Sequence, residues 1–210
     1  MAFEHLHPEA YERSARMLIR TFKTTVEPTI EPITLEELKD RVRVTGCDDD
    51  AQLTQMLKAA RQQVEADSYR RLITQTVVGY MDAFRWVREI EMRMAPIQSI
   101  TSIAYTDMNG DAQTFSASNY STDIISSPPR IVLKTNQTLW DYTEDNTPNA
   151  VAITFVAGYG TTAASVPVQA RLAIVEYARL LYGGCEDPAA DKNYRRLVSS
   201  LQWTAYHKVM

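Results

Sequence analysis

Three short stretches of the sequence carry residue types that metal binding or phosphate chemistry would need. Residues 48–50 are consecutive aspartates, and carboxylates are ligands for hard cations. Asp107, Asn109 and Asp111 are spaced like the first ligands of a calcium loop. Gly158–Thr162 precedes a predicted helix, where backbone N–H groups can bind a phosphate. Each stretch has to be compared with a purely structural role.

A structural role explains the two acidic stretches better. The aspartates at 48–50 come directly before a predicted helix, where one of them would cap the first turn and the others would favour its positive end. The calcium-loop spacing is not followed by the glutamate that normally supplies a bidentate ligand. Asp107–Asp111 is therefore predicted to be a hairpin turn, and no metal site is predicted.

The glycine turn and the histidines give little support to catalysis. The turn lacks the Gly-Lys-Ser/Thr of a P-loop, and Pro167 removes an N–H donor from the following helix. His5, His7 and His207 lie near the ends of the chain, where ordered catalytic geometry is hard to maintain. We expect no enzymatic activity, no catalytic residues and no cofactor. A small phosphate-ligand-binding enzyme that uses Gly158–Thr162 stays the alternative of another class.

Composition indicates a soluble protein with one domain, or one domain with arms. The chain has 210 residues, 45% of them hydrophobic and 23% charged, and a net charge of −4. Residues 72–160 are acidic, with 5 Lys/Arg against 9 Asp/Glu. Such a chain is not basic enough to be a nucleic-acid binder. No apolar stretch is long enough to span a bilayer, and no signal peptide is visible, so we expect no membrane contact.

The cysteines point to a reduced, intracellular chain. Cys47 and Cys185 are each alone in their region, without a CxxC pair or a His/Cys cluster. A structural zinc site needs such a cluster. We therefore predict neither zinc nor a disulfide framework.

Apolar periodicity predicts four helices. Thr34 and Glu37 form a capping-box pattern at the start of the first helix. The third helix is apolar around most of its circumference and is predicted to be buried as the centre of the core. The last carries Tyr194, Leu197, Val198 and Leu201 along one side. The predicted ranges are 34–43, 50–69, 167–182 and 191–206.

Between the second and third helices the period changes to two. Alternating apolar residues over 74–157 predict successive antiparallel strands, and Val151, Ile153 and Phe155 mark the last of them. The predicted fold class is therefore α+β, a small helical bundle with an inserted antiparallel β region. Residues 134–149 are predicted to form a loop with Trp140 as an aromatic anchor.

Both ends carry apolar residues beyond the predicted core. Residues 8–22 are predicted to form an amphipathic helix, followed by an extended connector that contains Pro28 and Pro32. Large apolar side chains at the ends can pack on the protein's own core or on another chain, and both alternatives stay open. The predicted protein-interface residues are Tyr11, Leu18, Phe22, Trp140, Trp203 and Tyr206.

Six short segments occur in a characteristic order and spacing between Ile33 and Tyr182, namely Ile33–Lys39, Asp48–Leu53 with Ala59–Arg61, Leu72–Thr76, Pro96–Ile103, Asn149–Gly160 and Val166–Ile174. In these segments the chain resembles the head–tail connector (adaptor) family of tailed double-stranded DNA bacteriophages. The resemblance rests on short segments that occur in the order and spacing of that family. Two parts depart from its pattern, namely the long N-terminal 32 residues and the C-terminal helix.

The resemblance implies a virion structural protein. Its domains would be an N-terminal extension over 1–32, a connector domain over 33–182 and a C-terminal helical arm over 183–210. Connectors of this kind form a homo-oligomeric ring, commonly of twelve copies, between the portal protein and a stopper or tail-completion protein. The virion neck would be its location, after assembly in the bacterial host cytoplasm.

An acidic chain suits the conduit for double-stranded DNA that such a ring would form. Each Lys or Arg contact to phosphate adds affinity through counterion release, so a basic lumen would retard DNA in transit. We therefore expect passage of DNA without specific binding. The structural alternative is a stopper or tail-completion protein elsewhere in the neck.

Overall fold

The computed structural model describes residues 17–84, 88–135, 137, 140–141, 143, 147–183 and 188–202. Their contacts divide the chain into two compact units. The strand unit contains the described residues up to Thr25, together with Thr76–Arg93 and Ile97–Val156. The helix unit contains Val26–Gln75, Met94–Pro96 and the described residues from Ala157 onward.

The helix unit begins with the predicted capping box. Helix α1 spans Leu35–Val42, and Thr34 is its N-cap. The Thr34 hydroxyl accepts the Glu37 N–H at 3.1 Å, and the Glu37 carboxylate accepts the Thr34 N–H at 3.0 Å. Both donors belong to the first turn of a helix, which leaves them without intrahelical partners. The prediction from the Thr34/Glu37 spacing is confirmed.

Three longer helices complete this unit. Helix α2 spans Asp50–Ser68, α3 spans Val168–Tyr182 and α4 spans Pro188–Leu201. Their buried apolar side chains form one core, in which Leu38, Leu53 and Ile174 are fully buried. The four predicted helices are therefore confirmed, except that α4 begins at Pro188 and residues 203–206 lie outside the described residues.

Helix α3 is less enclosed than its sequence predicts. Its Ala170, Ala173, Ile174 and Ala178 face the core, where α2 and α4 pack against it. Val168 is 64% exposed, Leu172 38% and Tyr182 39%. The predicted place of this helix in the core is therefore confirmed, but its apolar circumference is buried on one side only. Apolar side chains on the other face are only partly covered by the described part of the chain.

The strand unit contains two sheets. Strands β1 (Met17–Leu18), β4 (Glu89–Glu91), β8 (Arg130–Leu133) and β7 (Tyr120–Asp123) form one in the order β1-β4-β8-β7. The other has the order β2-β3-β9-β5-β6. Its strands are β2 (Thr21–Val26), β3 (Gln75–Met81), β5 (Ile97–Thr106), β6 (Ala112–Thr114) and β9 (Val151–Ala157).

These strands confirm the α+β class and the β region between the second and third helices. Val151, Ile153 and Phe155 of β9 are fully buried and alternate with half-buried residues, as the period of two requires. Pairing of β5 with β6 confirms the predicted hairpin. The pairing of β1 with β4 is parallel, whereas the sequence pattern predicts antiparallel strands.

The N-terminal helix prediction is wrong over residues 17–22. Residues 17–18 form β1 and residues 21–22 begin β2, while residues 8–16 of the predicted range lie outside the described residues. Phe22 packs edge-on against Phe155 of β9, with the ring centroids 6.1 Å apart. Gly79 of β3 admits this packing, because a Cβ atom there would meet Ile19 at 3.0 Å and Phe22 at 3.3 Å. Long-range strand pairing has overridden the local helical spacing.

Candidate functional site

The two acidic stretches, residues 48–50 and 107–111, form contacts within the chain itself. Asp107 accepts the N–H groups of Asn109 and Asp111 at 2.8 and 3.1 Å, which closes the β5–β6 turn. These hydrogen bonds, that from Asn109 first, lower the pKa of the Asp107 carboxyl. Asp50 pairs with Lys39 at 2.6 Å. Among the described residues no group of His, Cys, Asp or Glu is arranged to hold a metal ion.

Asp49 takes the N-cap position of α2 without a side-chain capping bond. Its carboxylate instead accepts the Tyr182 hydroxyl at 3.1 Å. The predicted N-cap position is thus confirmed, while the expected bond to the first turn is not formed. Asp50 in that first turn still favours the positive end of the helix.

The glycine turn uses its backbone inside the helix unit. Gly158 N–H donates to the Pro96 carbonyl at 3.0 Å, and Tyr159 N–H donates to the Leu72 carbonyl at 3.1 Å. A Cβ atom on Gly158 would lie 2.6 Å from the backbone of Ile73 and Thr74. Glycine is therefore required here for close chain packing, and these two N–H groups are not directed at a ligand.

Arg61 forms the most enclosed charged cluster that the structure describes. Its guanidinium contacts Glu31 at 2.8 Å, Glu65 at 3.0 Å and Glu27 at 3.3 Å. The other oxygen of Glu65 accepts the Leu72 N–H at 2.9 Å. Burial raises the pKa of Glu65, against the opposing charge of Arg61. Every group here has a partner on the chain itself, which indicates a structural cluster.

The predicted interface residues have different environments. Trp140 is 4% exposed, stacks on Phe84 at 5.1 Å and contacts Phe115 at 5.0 Å. It is therefore part of an aromatic core in the strand unit. Phe22 is half-buried against Phe155, and Leu18 lies in β1. Tyr11, Trp203 and Tyr206 lie outside the described residues, and their interface role stays a prediction.

Exposed apolar residues identify a surface that is not among the predicted interface residues. Ile125 is 95% exposed in the loop between β7 and β8, and Ile124 beside it is 40% exposed. We call residues 124–129 the isoleucine loop. Its sequence, IISSPP, contains two adjacent isoleucines and no charged residue. This composition is the feature of the sequence from which an apolar contact surface could have been predicted.

Hydrogen bonds and ion pairs hold the base of the isoleucine loop. The Asp123 carboxylate accepts the Ser126 N–H at 3.1 Å and the Ser126 hydroxyl at 2.7 Å. Arg130 donates to the same carboxylate at 3.1 Å and pairs with Glu89 at 3.3 Å. Hydrogen bonds from Ser126, then the charge and hydrogen bond of Arg130, lower the pKa of Asp123 to about 2. The exposed isoleucines thus stand on an ordered base.

A second apolar surface lies in the helix unit. Val168 and Leu172 line a groove of about 300 Å³ between α1 and α3. Arg171 braces one side of this α1–α3 groove, donating to the Pro32 carbonyl at 3.1 Å and to Glu37 at 2.8 Å. The groove is lined by Ile33, Glu37, Asp40, Arg41, Val168, Arg171, Leu172 and Val175. An apolar floor with a charged rim is typical of a protein-contact surface.

No described helix is long and apolar enough to cross a membrane. The candidate site is a pair of exposed apolar surfaces on the described residues, the isoleucine loop and the α1–α3 groove. Both surfaces are small, and each stands on ion-paired supports. Such an arrangement can bind another protein chain without ordering itself first.

Comparison with known proteins reveals similar folds in chains of gene transfer agent (GTA) particles. A chain in the neck of an empty GTA particle, computed with C6 symmetry, matches at a TM-score of 0.72 and 22% identity, covering 87% of this chain and 95% of that one. A chain of the native gene transfer agent (GTA) virion matches at 0.69 and 21%, covering 87% and 95%. A chain in the native GTA neck, computed with C12 symmetry, matches at 0.69 and 22%, covering 87% and 94%.

The sequence itself gives no comparable match. No protein-family model matches the chain, and no curated protein matches it significantly. At 21–22% identity the structural matches establish a shared fold across most of the chain.

Proposed function

We propose that the protein is a structural component of a phage-like virion neck, a head–tail connector that joins the capsid to the tail. The observation that carries this proposal is the shared fold over 87% of the chain with chains from the neck of GTA particles. The match extends to 94–95% of those chains. Support therefore comes from nearly the whole of both chains, beyond one common motif.

A ring of copies, commonly twelve in connectors, is the assembly that we infer. Support comes from the C6 and C12 symmetry with which the two similar neck structures were computed. Cyclic rings repeat one head-to-tail contact, so each copy has to present two different surfaces. The isoleucine loop and the α1–α3 groove are two such surfaces.

The ring would bind the portal protein on one side and a stopper or tail-completion protein on the other. Double-stranded DNA would pass through it without specific binding. The net charge of −4 supports this role, because a channel that attracted phosphate would hold the DNA back. The terminal residues Tyr11, Trp203 and Tyr206 are proposed anchors for these neighbouring proteins.

An enzymatic role has less support. The Gly158 and Tyr159 N–H groups donate to carbonyls of the same chain, so they cannot also bind a phosphate without local rearrangement. Ser165 and Thr162 hydroxyls form a 2.9 Å hydrogen bond with each other. We therefore propose a structural protein and no catalytic step.

Assembly with the portal tests the proposal. The full chain is mixed with the purified portal protein of the same particle, and the products are imaged by electron microscopy. We expect a ring bound to one face of the portal. Absence of any ring over a range of salt and protein concentrations would contradict the proposal. A particle in which the chain touches the tail and not the portal would instead identify a stopper or tail-completion protein.

The terminal anchors are tested in the same assay. Replacement of Trp203 by Ala is expected to lower assembly on the portal more than it lowers the free energy of unfolding of the subunit. An equal loss in both would assign Trp203 to the subunit's own core. Chemical denaturation of the free subunit supplies the comparison.

A further inference from the structure

A closed ring requires two surfaces that differ in shape and fit each other. Head-to-tail contacts of this kind are the ones that close into cyclic assemblies. Within the described residues, the isoleucine loop protrudes and the α1–α3 groove is concave. Both are apolar at their centre. This pairing of shape and polarity makes a second copy the occupant that fits the groove.

The isoleucine loop combines an exposed apolar side chain with a base that is held by hydrogen bonds. Ile125 has 95% of its surface in water, which is costly for an aliphatic side chain. Asp123 accepts two hydrogen bonds from Ser126 and one from Arg130, so the base of the loop is fixed before any partner arrives. Less conformational entropy is then lost on binding.

The α1–α3 groove likewise combines exposed apolar side chains with a wall that is held by hydrogen bonds. Val168 and Leu172 lie one helical turn apart on α3 and expose 64% and 38% of their surface. Ile33 and Val175 form the buried floor beside them. Arg171 bridges α3 to Glu37 and to the Pro32 carbonyl, which holds the wall in place.

Charges at the two rims are complementary. Glu89 and Arg130 at the base of the loop are each 47% exposed. Asp40 and Arg41 at the rim of the groove are both exposed. Glu37 and Arg171 of the groove pair with each other, whereas Asp40 and Arg41 can form two opposite-charge pairs with Arg130 and Glu89 around an apolar centre. Such rim charges favour one orientation of the contact.

From these observations we propose that the isoleucine loop of one copy inserts into the α1–α3 groove of the neighbouring copy. Ile125 packs against Val168 and Leu172, with Glu89 facing Arg41 and Arg130 facing Asp40. This inference rests on the proposed ring, and it names the surfaces that repeat around it.

Cross-linking between two differently labelled chains tests the contact. In full-length chains with Cys47 and Cys185 replaced by Ser, one carries Ile125→Cys and the other Val168→Cys. The two are mixed with the portal protein and treated with a short bismaleimide. We expect a cross-linked heterodimer in at least tenfold excess over the control pair, Met108→Cys with Val168→Cys. Met108 is also exposed, at 67% against 95% for Ile125, so both positions are accessible to the reagent. Equal yields from both pairs would overturn the inference.

Charged substitutions supply an independent readout. Ile125→Asp and Val168→Asp are each expected to reduce ring yield at least tenfold, whereas Met108→Asp leaves it unchanged. Folding should tolerate these changes because the side chains are exposed, and because an acid at Val168 lies in the favourable first turn of α3. Urea midpoints of the free subunits, expected to match the unsubstituted chain, verify this.

The two experiments separate this inference from the proposed function. Rings that form in all variants without the 125–168 cross-link overturn the contact and leave the ring intact. A specific cross-link without closed rings supports the contact and contradicts the ring. Neither cross-link nor ring contradicts both.

Discussion

Arg61 and Glu65 lie one turn apart on α2 and form a 3.0 Å ion pair whose side chains are 2% and 5% exposed. Glu31 adds a second carboxylate to the same guanidinium at 2.8 Å. Glu65 also accepts the Leu72 N–H and the Gln75 amide, both at 2.9 Å. One buried guanidinium thus connects three segments of the helix unit. Removing one member of such a buried ion pair is costly in free energy of unfolding, because the other charged group stays buried without its partner.

Replacement of Arg61 by Ala should therefore strongly destabilise the subunit. The change leaves the Glu65 carboxylate buried without its counter-charge and removes the bond to Glu31. We expect a loss of about 3–5 kcal/mol in the free energy of unfolding. Urea denaturation of the full chain measures it.

Glu27 supplies the matched control for this prediction. It contacts the same guanidinium at 3.3 Å, but its side chain is 52% exposed. Glu27→Ala should cost less than about 1 kcal/mol, since exposed ion pairs contribute little. The double variant Arg61→Met/Glu65→Gln should recover part of the Arg61→Ala loss. Similar losses for Glu27→Ala and Arg61→Ala would contradict the role given to burial.

Gly158→Ala tests the structural explanation of the glycine turn. The residue has φ +132°, and an added Cβ would lie 2.6 Å from backbone atoms of Ile73 and Thr74. Backbone strain of about 1–3 kcal/mol and overpacking of about 1–3 kcal/mol should both apply. Thermal unfolding is expected to shift accordingly, by several degrees or more.

Gly110→Ala provides the comparison for Gly158→Ala. Gly110 also has a positive φ of +85°, but nothing lies within 4 Å of the position its Cβ would take. Only the conformational cost of about 1–2 kcal/mol should remain. If the two substitutions destabilise the protein equally, close packing is not the reason for glycine at 158.

Elements determined by local chemistry could be predicted from the sequence. The Thr34/Glu37 capping box fixed the start of α1, because its two hydrogen bonds involve residues only three apart. Alternation over Val151–Phe155 gave β9 its buried face in the same way. Where a contact depends on neighbours in sequence, the pattern was sufficient.

Features that depend on distant partners could not be predicted. Phe22 has the spacing of a helical face, yet the segment pairs as a strand because Gly79 leaves space for it. Val168 was expected to be buried and Trp140 to lie at an interface, but Val168 is exposed and Trp140 is buried. The helix residue is exposed since the described part of the chain covers that face of α3 only in part, whereas the loop tryptophan is enclosed by Phe84 and Phe115. Exposure is a property of the whole packed chain, so the isoleucine loop and the groove emerged only from the structure.

Trp140→Ala should lower subunit stability. The indole stacks on Phe84 with ring planes 13° apart and also contacts Phe115. Only 4% of the residue's surface is exposed. Truncating such a core aromatic costs about 3–5 kcal/mol. Urea denaturation measures the loss, and Met108→Ala, at a 67% exposed site, should change stability by less than about 0.5 kcal/mol. An unchanged urea midpoint for Trp140→Ala would assign the side chain to an intermolecular contact instead.

The Asp123 carboxyl should titrate with a pKa of about 2, well below its ordinary 3.8. The cause is hydrogen bonding from Ser126, followed by the hydrogen bond and charge of Arg130. Because the folded-state pKa is lowered, this contribution to loop stability is present above the ordinary value and is lost as pH falls through about 2. Carbon-13 NMR of the side-chain carboxyl follows the titration directly.

Two variants decide which group holds the Asp123 carboxylate in its ionised form. Ser126→Ala removes the hydroxyl bond of 2.7 Å, and Arg130→Ala removes the guanidinium bond of 3.1 Å. Both should raise the Asp123 pKa, and the serine change should raise it more, since hydrogen bonding from Ser126 is the larger cause. Loss of the Ser126 brace should also reduce ring yield, because a loosened isoleucine loop has more conformational entropy to lose on insertion. A pKa that stays near 2 in the Ser126→Ala chain would contradict the role given to the Ser126 hydroxyl in holding the Asp123 carboxylate.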